Sequence, residues 1–137
     1  MTDATNQMMQ RRKDSPNGAG HYHLADPYPF QIRVLIGGRE VASTRDAIIL
    51  KEVGTSLYNP TFYIPPGDVQ LQLFRREPDF TTQCPIKGAA SYWAFVGSGA
   101  PVQRAAWSYE TPLDYSKMIA KHLGFDQRFA TIEISPL

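Results

Sequence analysis

The chain has 137 residues, 42% apolar and 20% charged, and its 14 lysines and arginines against 13 acids leave a formal net charge of +1. That is one domain's length with the composition of a soluble protein, and the balanced charge excludes a basic face broad enough for general nucleic-acid binding. The longest apolar runs, such as Ala47-Ile48-Ile49-Leu50, fall far short of a membrane span, and a single cysteine excludes an internal disulfide and points to a reducing compartment.

Residues 1–20 are polar and close on Ser15-Pro16-Asn17-Gly18-Ala19-Gly20, which predicts a flexible tail ahead of a single domain over 21–137. The first residues have no apolar stretch of the kind a secretory leader carries, so the expected location is cytoplasmic, with no membrane partner. Residues 21–30 hold two prolines that keep them extended. From Phe30 the pattern turns to strands. Ile32, Val34 and Ile36 alternate, Gly37-Gly38 is a two-residue hairpin signal, and residues 39–43 return from it. Residues 46–52 read as the next strand, broken at Gly54. Residues 61–69 read as a strand ending in the Pro65-Pro66-Gly67 turn, and Val69, Leu71 and Leu73 alternate in another.

Residues 91–96 and 102–109 form a predicted hairpin across the Gly97–Pro101 loop. One C-terminal α-helix is expected over about 112–123. Thr111 suits its N-cap, Pro112 its first turn and Asp114 the free N–H groups there. Tyr115, Met118, Ile119, His122 and Leu123 recur at helical spacing, and Gly124 can end the run. Residues 128–134 supply a last strand. Seven or so short strands with one packing helix predict a mainly β fold, a sandwich or partly open barrel.

Cys84 sits in Cys84-Pro85-Ile86-Lys87-Gly88. Pro85 favours a turn that brings Lys87 back towards the sulfur, and a nearby ammonium raises the thiolate fraction, which makes Cys84 the candidate catalytic nucleophile. The plainer reading is a small buried residue. Zinc normally takes three or four Cys and His ligands, and His21-x-His23, with Asp26 and His122 apart from it, reads better as solvated side chains beside a packing tyrosine. No metal and no cofactor is expected.

Strand alternation places Trp93 and Phe95 on one face and Tyr92 on the other, while Trp107 and Tyr109 share a face opposite to Ala106 and Ser108. These rings fit either a core or a concave pocket, in which Arg45, Lys87 and Arg104 would supply cations for an anionic ligand. Neither a phosphate-binding G-x-x-x-x-G-K-[ST] loop nor a G-x-S-x-G elbow occurs.

The run Thr81–Trp93, then Ala105-Ala106-Trp107-Ser108-Tyr109-Glu110-Thr111-Pro112, resembles the small proteins of the domain of unknown function 427 family. Thr82, Cys84, Pro85, Lys87, Gly88, Ala90 and Tyr92 match the first part of the family pattern, and Ala105, Trp107, Tyr109 and Pro112 the second. Arg45 matches its arginine-bearing strand, and Tyr63, Pro65 and Asp68 its tyrosine-proline-aspartate turn. The resemblance covers about residues 30–134, with one departure, Phe80, where the family usually has histidine. It implies a β-tent-like fold of two small antiparallel sheets, without the four-cysteine zinc site that many such folds carry, and it brings a nucleotidyltransferase-like label.

The expected function is binding of a planar, anionic small molecule in an aromatic-lined pocket beside the Cys-Pro turn, formed by Arg45, Tyr63, Lys87, Tyr92, Trp93, Trp107 and Tyr109. The alternatives are an enzyme using Cys84 as nucleophile or acting as a nucleotidyltransferase, and a protein-interaction module recruiting partners at strand edges.

Overall fold

The computed structural model describes residues 12–135, so the first eleven residues of the expected tail lie outside the described residues. From Arg12 the chain already forms a strand, β1 (Arg12–Asp14), which pairs with β2 (Tyr22–Tyr28). There follow β3 (Gln31–Ile36), β4 (Arg39–Thr44), β5 (Ala47–Val53), β6 (Thr61–Tyr63), β7 (Phe74–Cys84), β8 (Gly88–Phe95), β9 (Val102–Ser108), β10 (Leu123–Phe125) and β11 (Ala130–Ser135).

The strands make three antiparallel sheets, ordered β1-β2-β5-β6, β10-β9-β8-β7 and β11-β3-β4, in place of the two expected. Gly37 and Gly38 adopt φ of 58° and 78°, which matches the twist of a two-residue hairpin and joins β3 to β4. Ile32, Val34 and Ile36 point inward, as their alternation predicts, and meet Phe74, Phe95 and Phe125 in the main core. A smaller cluster, Leu50, Tyr63, Ala90, Tyr109 and Ile119, lies between the first two sheets. Those sheets are stitched at one side, where Ile64 and Leu123 exchange two backbone hydrogen bonds. Residues of both sheets, among them Glu52, Tyr63, Tyr92 and Trp107, line a cleft.

The C-terminal α-helix is not found. Residues Asp114–Ile119 form a kinked 3-10 segment, interrupted at Ser116 (φ −124°, ψ 19°), and Lys121 takes φ 64°. Side-chain bonding explains the break. The buried Ser116 hydroxyl donates to Ile86 O at 2.9 Å and accepts from His23 Nε2 at 2.8 Å, competing with a helical ladder as serine does. Leu123 then joins β10 against β9, so tertiary pairing overrides the helical spacing. A second correction concerns residues 69–73. Leu71–Leu73 is a 3-10 turn, not strand, and Leu71 is exposed, while Pro66–Asp68 is a 3-10 turn where the Pro65-Pro66-Gly67 turn is expected. Among the described residues no helix is long and apolar enough to cross a membrane.

Candidate functional site

The cleft has a volume of about 520 Å³, within the range of small-molecule sites. Its floor is built around one carboxylate. Glu52 follows Leu50 on the inward phase of β5 and is therefore carried into the interior. Glu52 Oε1 accepts from Lys87 Nζ at 2.5 Å, and Oε2 accepts from His21 Nε2 at 2.5 Å. Cys84 Sγ lies 3.7 Å from the same Oε2.

The Cys-Pro-Ile-Lys-Gly stretch explains how two of these groups come together. Cys84 pairs with Gly88 across a three-residue hairpin loop between β7 and β8, and Gly88 takes the φ of 100° that such a loop needs. Ile86 at its tip is wholly buried, which anchors the loop and turns Lys87 inward under the Tyr109 ring, 5.2 Å from its centroid.

One wall is aromatic. Tyr92 and Trp107 are register partners on β8 and β9, so they stand side by side on the cleft face. Trp107 Nε1 donates to Tyr63 OH at 3.2 Å, and Gly124 leaves the room this indole occupies, since a Cβ there would lie 2.8 Å from it. Phe80 meets Tyr92 edge-on at 4.9 Å, and the Arg104 guanidinium stacks 3.9 Å above Phe80 at the mouth. Arg104 holds φ 52°, a conformation costing about 1–3 kcal/mol for a non-glycine residue. Its backbone N–H donates to the Glu77 carboxylate at 2.8 Å, where the β8–β9 register shifts between Trp93 and Phe95.

Burial dominates the electrostatics. It works to raise the Glu52 pKa, but Lys87 and His21 outweigh it and hold the carboxyl below its ordinary value. Burial works to lower Lys87, yet the charges of Tyr63 and Tyr109 once ionised, together with the Glu52 carboxylate, carry it well above the usual lysine value. Burial also pushes Tyr63 and Tyr109 up. The Cys84 thiol is raised too, by burial, against the pull of Lys87 and two loop N–H groups. Lys87 thus acts on the thiol in the direction the sequence suggests, and burial outweighs it.

The structure brings together Tyr63, Cys84, Lys87, Tyr92, Trp107 and Tyr109 around the cleft. Two expected residues lie elsewhere. Arg45 is exposed beyond β4 and donates to Gln31 Oε1 at 3.2 Å, and Trp93 faces away, packing on the main core beneath Arg76. Arg104 supplies the cation at the mouth instead. The histidines are not solvated: His21 is at the floor, and His23 is wholly buried against Ser116. Glu52 is the residue the sequence reading missed. Its signal was a carboxylate in phase with Leu50 on an alternating strand.

Together these features define an all-β protein with an aromatic-walled cleft closed at its floor by a buried ion-pair network. The chain belongs to the family described as Domain of unknown function (DUF427), which matches residues 25–135. No curated protein matches it.

Proposed function

We propose that the cleft binds a small molecule with a planar part and an anionic group. The arrangement of Tyr92 and Trp107 as one wall, with the Arg104 guanidinium at the mouth, carries this reading. A planar ring fits against the indole, where face and edge contacts with aromatics are favourable. The anionic group meets Arg104, whose planar fork suits carboxylate or phosphate. Lys87 stays with Glu52 and tunes the floor; Cys84 lines the wall as a neutral thiol. Nucleoside monophosphates carry both required parts and are the first ligands to screen.

Tryptophan fluorescence tests the reading, because the two tryptophans are on opposite faces of one sheet. A binding ligand quenches Trp93→Phe protein as it does the wild type and leaves Trp107→Phe protein unchanged. Arg104→Gln weakens an anionic ligand by about tenfold or more, the worth of one charge-assisted hydrogen bond. Quenching that persists in Trp107→Phe and vanishes in Trp93→Phe places the ligand elsewhere and overturns the assignment.

A further inference from the structure

We propose that His21, Glu52 and Cys84 form a three-ligand site for a divalent transition metal, zinc by the chemistry of the donors, at the floor of the cleft. His21 Nε2, Glu52 Oε2 and Cys84 Sγ lie within 4.8 Å of one another. Tetrahedral zinc with its usual bond lengths sets such atoms roughly 3.4–3.6 Å apart. The 3.7 Å between Sγ and Oε2 already fits, and the 2.5 Å between Nε2 and Oε2 has to open by about an ångström, as it does when an ion replaces a shared hydrogen.

The donor set selects the ion. Thiolate, imidazole and carboxylate together suit zinc, whereas magnesium and calcium call for oxygen ligands alone. Three protein ligands with a fourth position open to a cleft is the pattern of zinc sites that bind or activate a small molecule. The three residues border the same cleft as Tyr92 and Trp107, so the open position faces it. The metal site stands independently of the planar-ligand reading.

The ligands are held by bonds that do not involve the metal. His21 comes from the turn before β2 and Cys84 from the β7–β8 hairpin, and the two turns are tied together. Ser15 Oγ and Asn17 Nδ2 donate to Pro85 O at 2.7 and 3.3 Å, while Ser15 N donates to His21 O at 2.8 Å and His21 N to Gly18 O at 3.0 Å. Gly54 makes room for the imidazole, since a Cβ there would lie 3.0 Å from His21 Cε1 and 3.1 Å from Nδ1. Lys87 holds Oε1 and so aims Oε2 at the other two donors, the orienting role that outer partners of metal ligands play. His21 lies ahead of residues 25–135, the stretch that matches the family, whereas Glu52 and Cys84 lie within it.

Binding forms a metal–sulfur bond and releases the Cys84 thiol proton to solvent. It also displaces the hydrogen that His21 Nε2 donates to Glu52; a neutral ring then carries it on Nδ1, and a charged ring releases it. No electron is transferred.

The test is titration of the full chain, stripped with a chelator, with Co²⁺ and then Zn²⁺ at neutral pH. One equivalent of Co²⁺ is expected to produce a thiolate-to-cobalt charge-transfer band that Zn²⁺ abolishes by displacement, and Zn²⁺ is expected to slow alkylation of Cys84. Cys84→Ser removes the band. His21→Ala lowers Zn²⁺ affinity by at least about 100-fold, beyond what loss of an outer partner takes, while His122→Ala leaves it unchanged. The absence of a charge-transfer band overturns the proposal. So does an alkylation rate indifferent to Zn²⁺, a readout on the wild type that needs no variant to fold. Equal affinity in wild type, Cys84→Ser and His21→Ala also overturns it, as adventitious binding elsewhere.

Discussion

Two three-membered networks in this protein have similar bond lengths and opposite surroundings, one centred on an acceptor and the other on a donor. At the cleft floor, Glu52 receives Lys87 and His21, each at 2.5 Å, and all three side chains are close to buried. On the outer face of the third sheet, Arg33 donates to Glu40 at 2.6 Å and to Glu133 at 2.7 Å, with all three side chains well exposed. Distance does not distinguish them. Water does. Around Arg33 the solvent screens each charge whether or not its partner is present. Around Glu52, whose side chain is only 8% exposed at the cleft floor, solvent screens far less, so leaving any one of the three groups alone is costly.

The largest effect that sharpens this contrast comes from Glu52→Gln, which strands the Lys87 ammonium in the interior. Its loss of stability is expected to be about 3–5 kcal/mol, the usual penalty for an orphaned buried charge. Urea unfolding measures it. The double variant Glu52→Leu with Lys87→Met removes both charges and is expected to be more stable than Glu52→Gln alone. If the double variant is the worse of the two, the network contributes net attraction and the contrast with Arg33 rests on more than desolvation.

Much of the fold was legible in the sequence and the floor of the cleft was not. Gly37-Gly38 announced its hairpin, and the phase of Tyr92 against Trp93 placed them on opposite faces, because both signals are local. Glu52 was equally local, two residues from Leu50 on one strand, but a lone carboxylate reads as surface until its partners are known. Those partners are 35 and 31 positions away, in Lys87 and His21. The helix failed for the same reason. Ser116 bonds His23 at a separation of 93 residues, and helical spacing carries no trace of it. Strand β7 was hidden because it is a mostly exposed edge strand interrupted by Pro78, with a register shift between Arg76 and Thr81. Arg45 lies outside the cleft because β4 belongs to the third sheet, an assignment that follows from pairing rather than from any motif.

An intermediate effect comes from His23, beside the same network. Burial holds its imidazole below the ordinary 6.5, with Lys87 and His21 acting the same way and Glu52 opposing them. Its Nε2 bonds Ser116, while Nδ1 has no partner. A folded-state value below the unfolded one means that the unfolded chain takes up the proton first. Stability is therefore full above about 6.5 and falls as the pH drops through the folded value. Glu52, also depressed, adds a second loss below its ordinary 4.5. Melting temperatures from pH 8 to pH 4 are expected to fall in these two stages. His23→Asn removes the first stage and keeps the second. A single stage in the wild type would sink the assignment of the first to His23.

The smallest effect belongs to the outer triad. Arg33 has both carboxylates beside it, and they raise its guanidinium pKa, chiefly through the bond to Glu40. The raised value carries no stability at working pH, because an arginine is charged in the folded and unfolded chain alike. Arg33→Gln is accordingly expected to leave the melting temperature within error at 0.15 M salt, and to lower it slightly at low salt, where screening is weaker. A clear loss at high salt would show that the Arg33 stem packs on the β3–β11 face and that its contribution is apolar. The ratio of this response to that of Glu52→Gln compares a buried network with an exposed one of similar bond lengths.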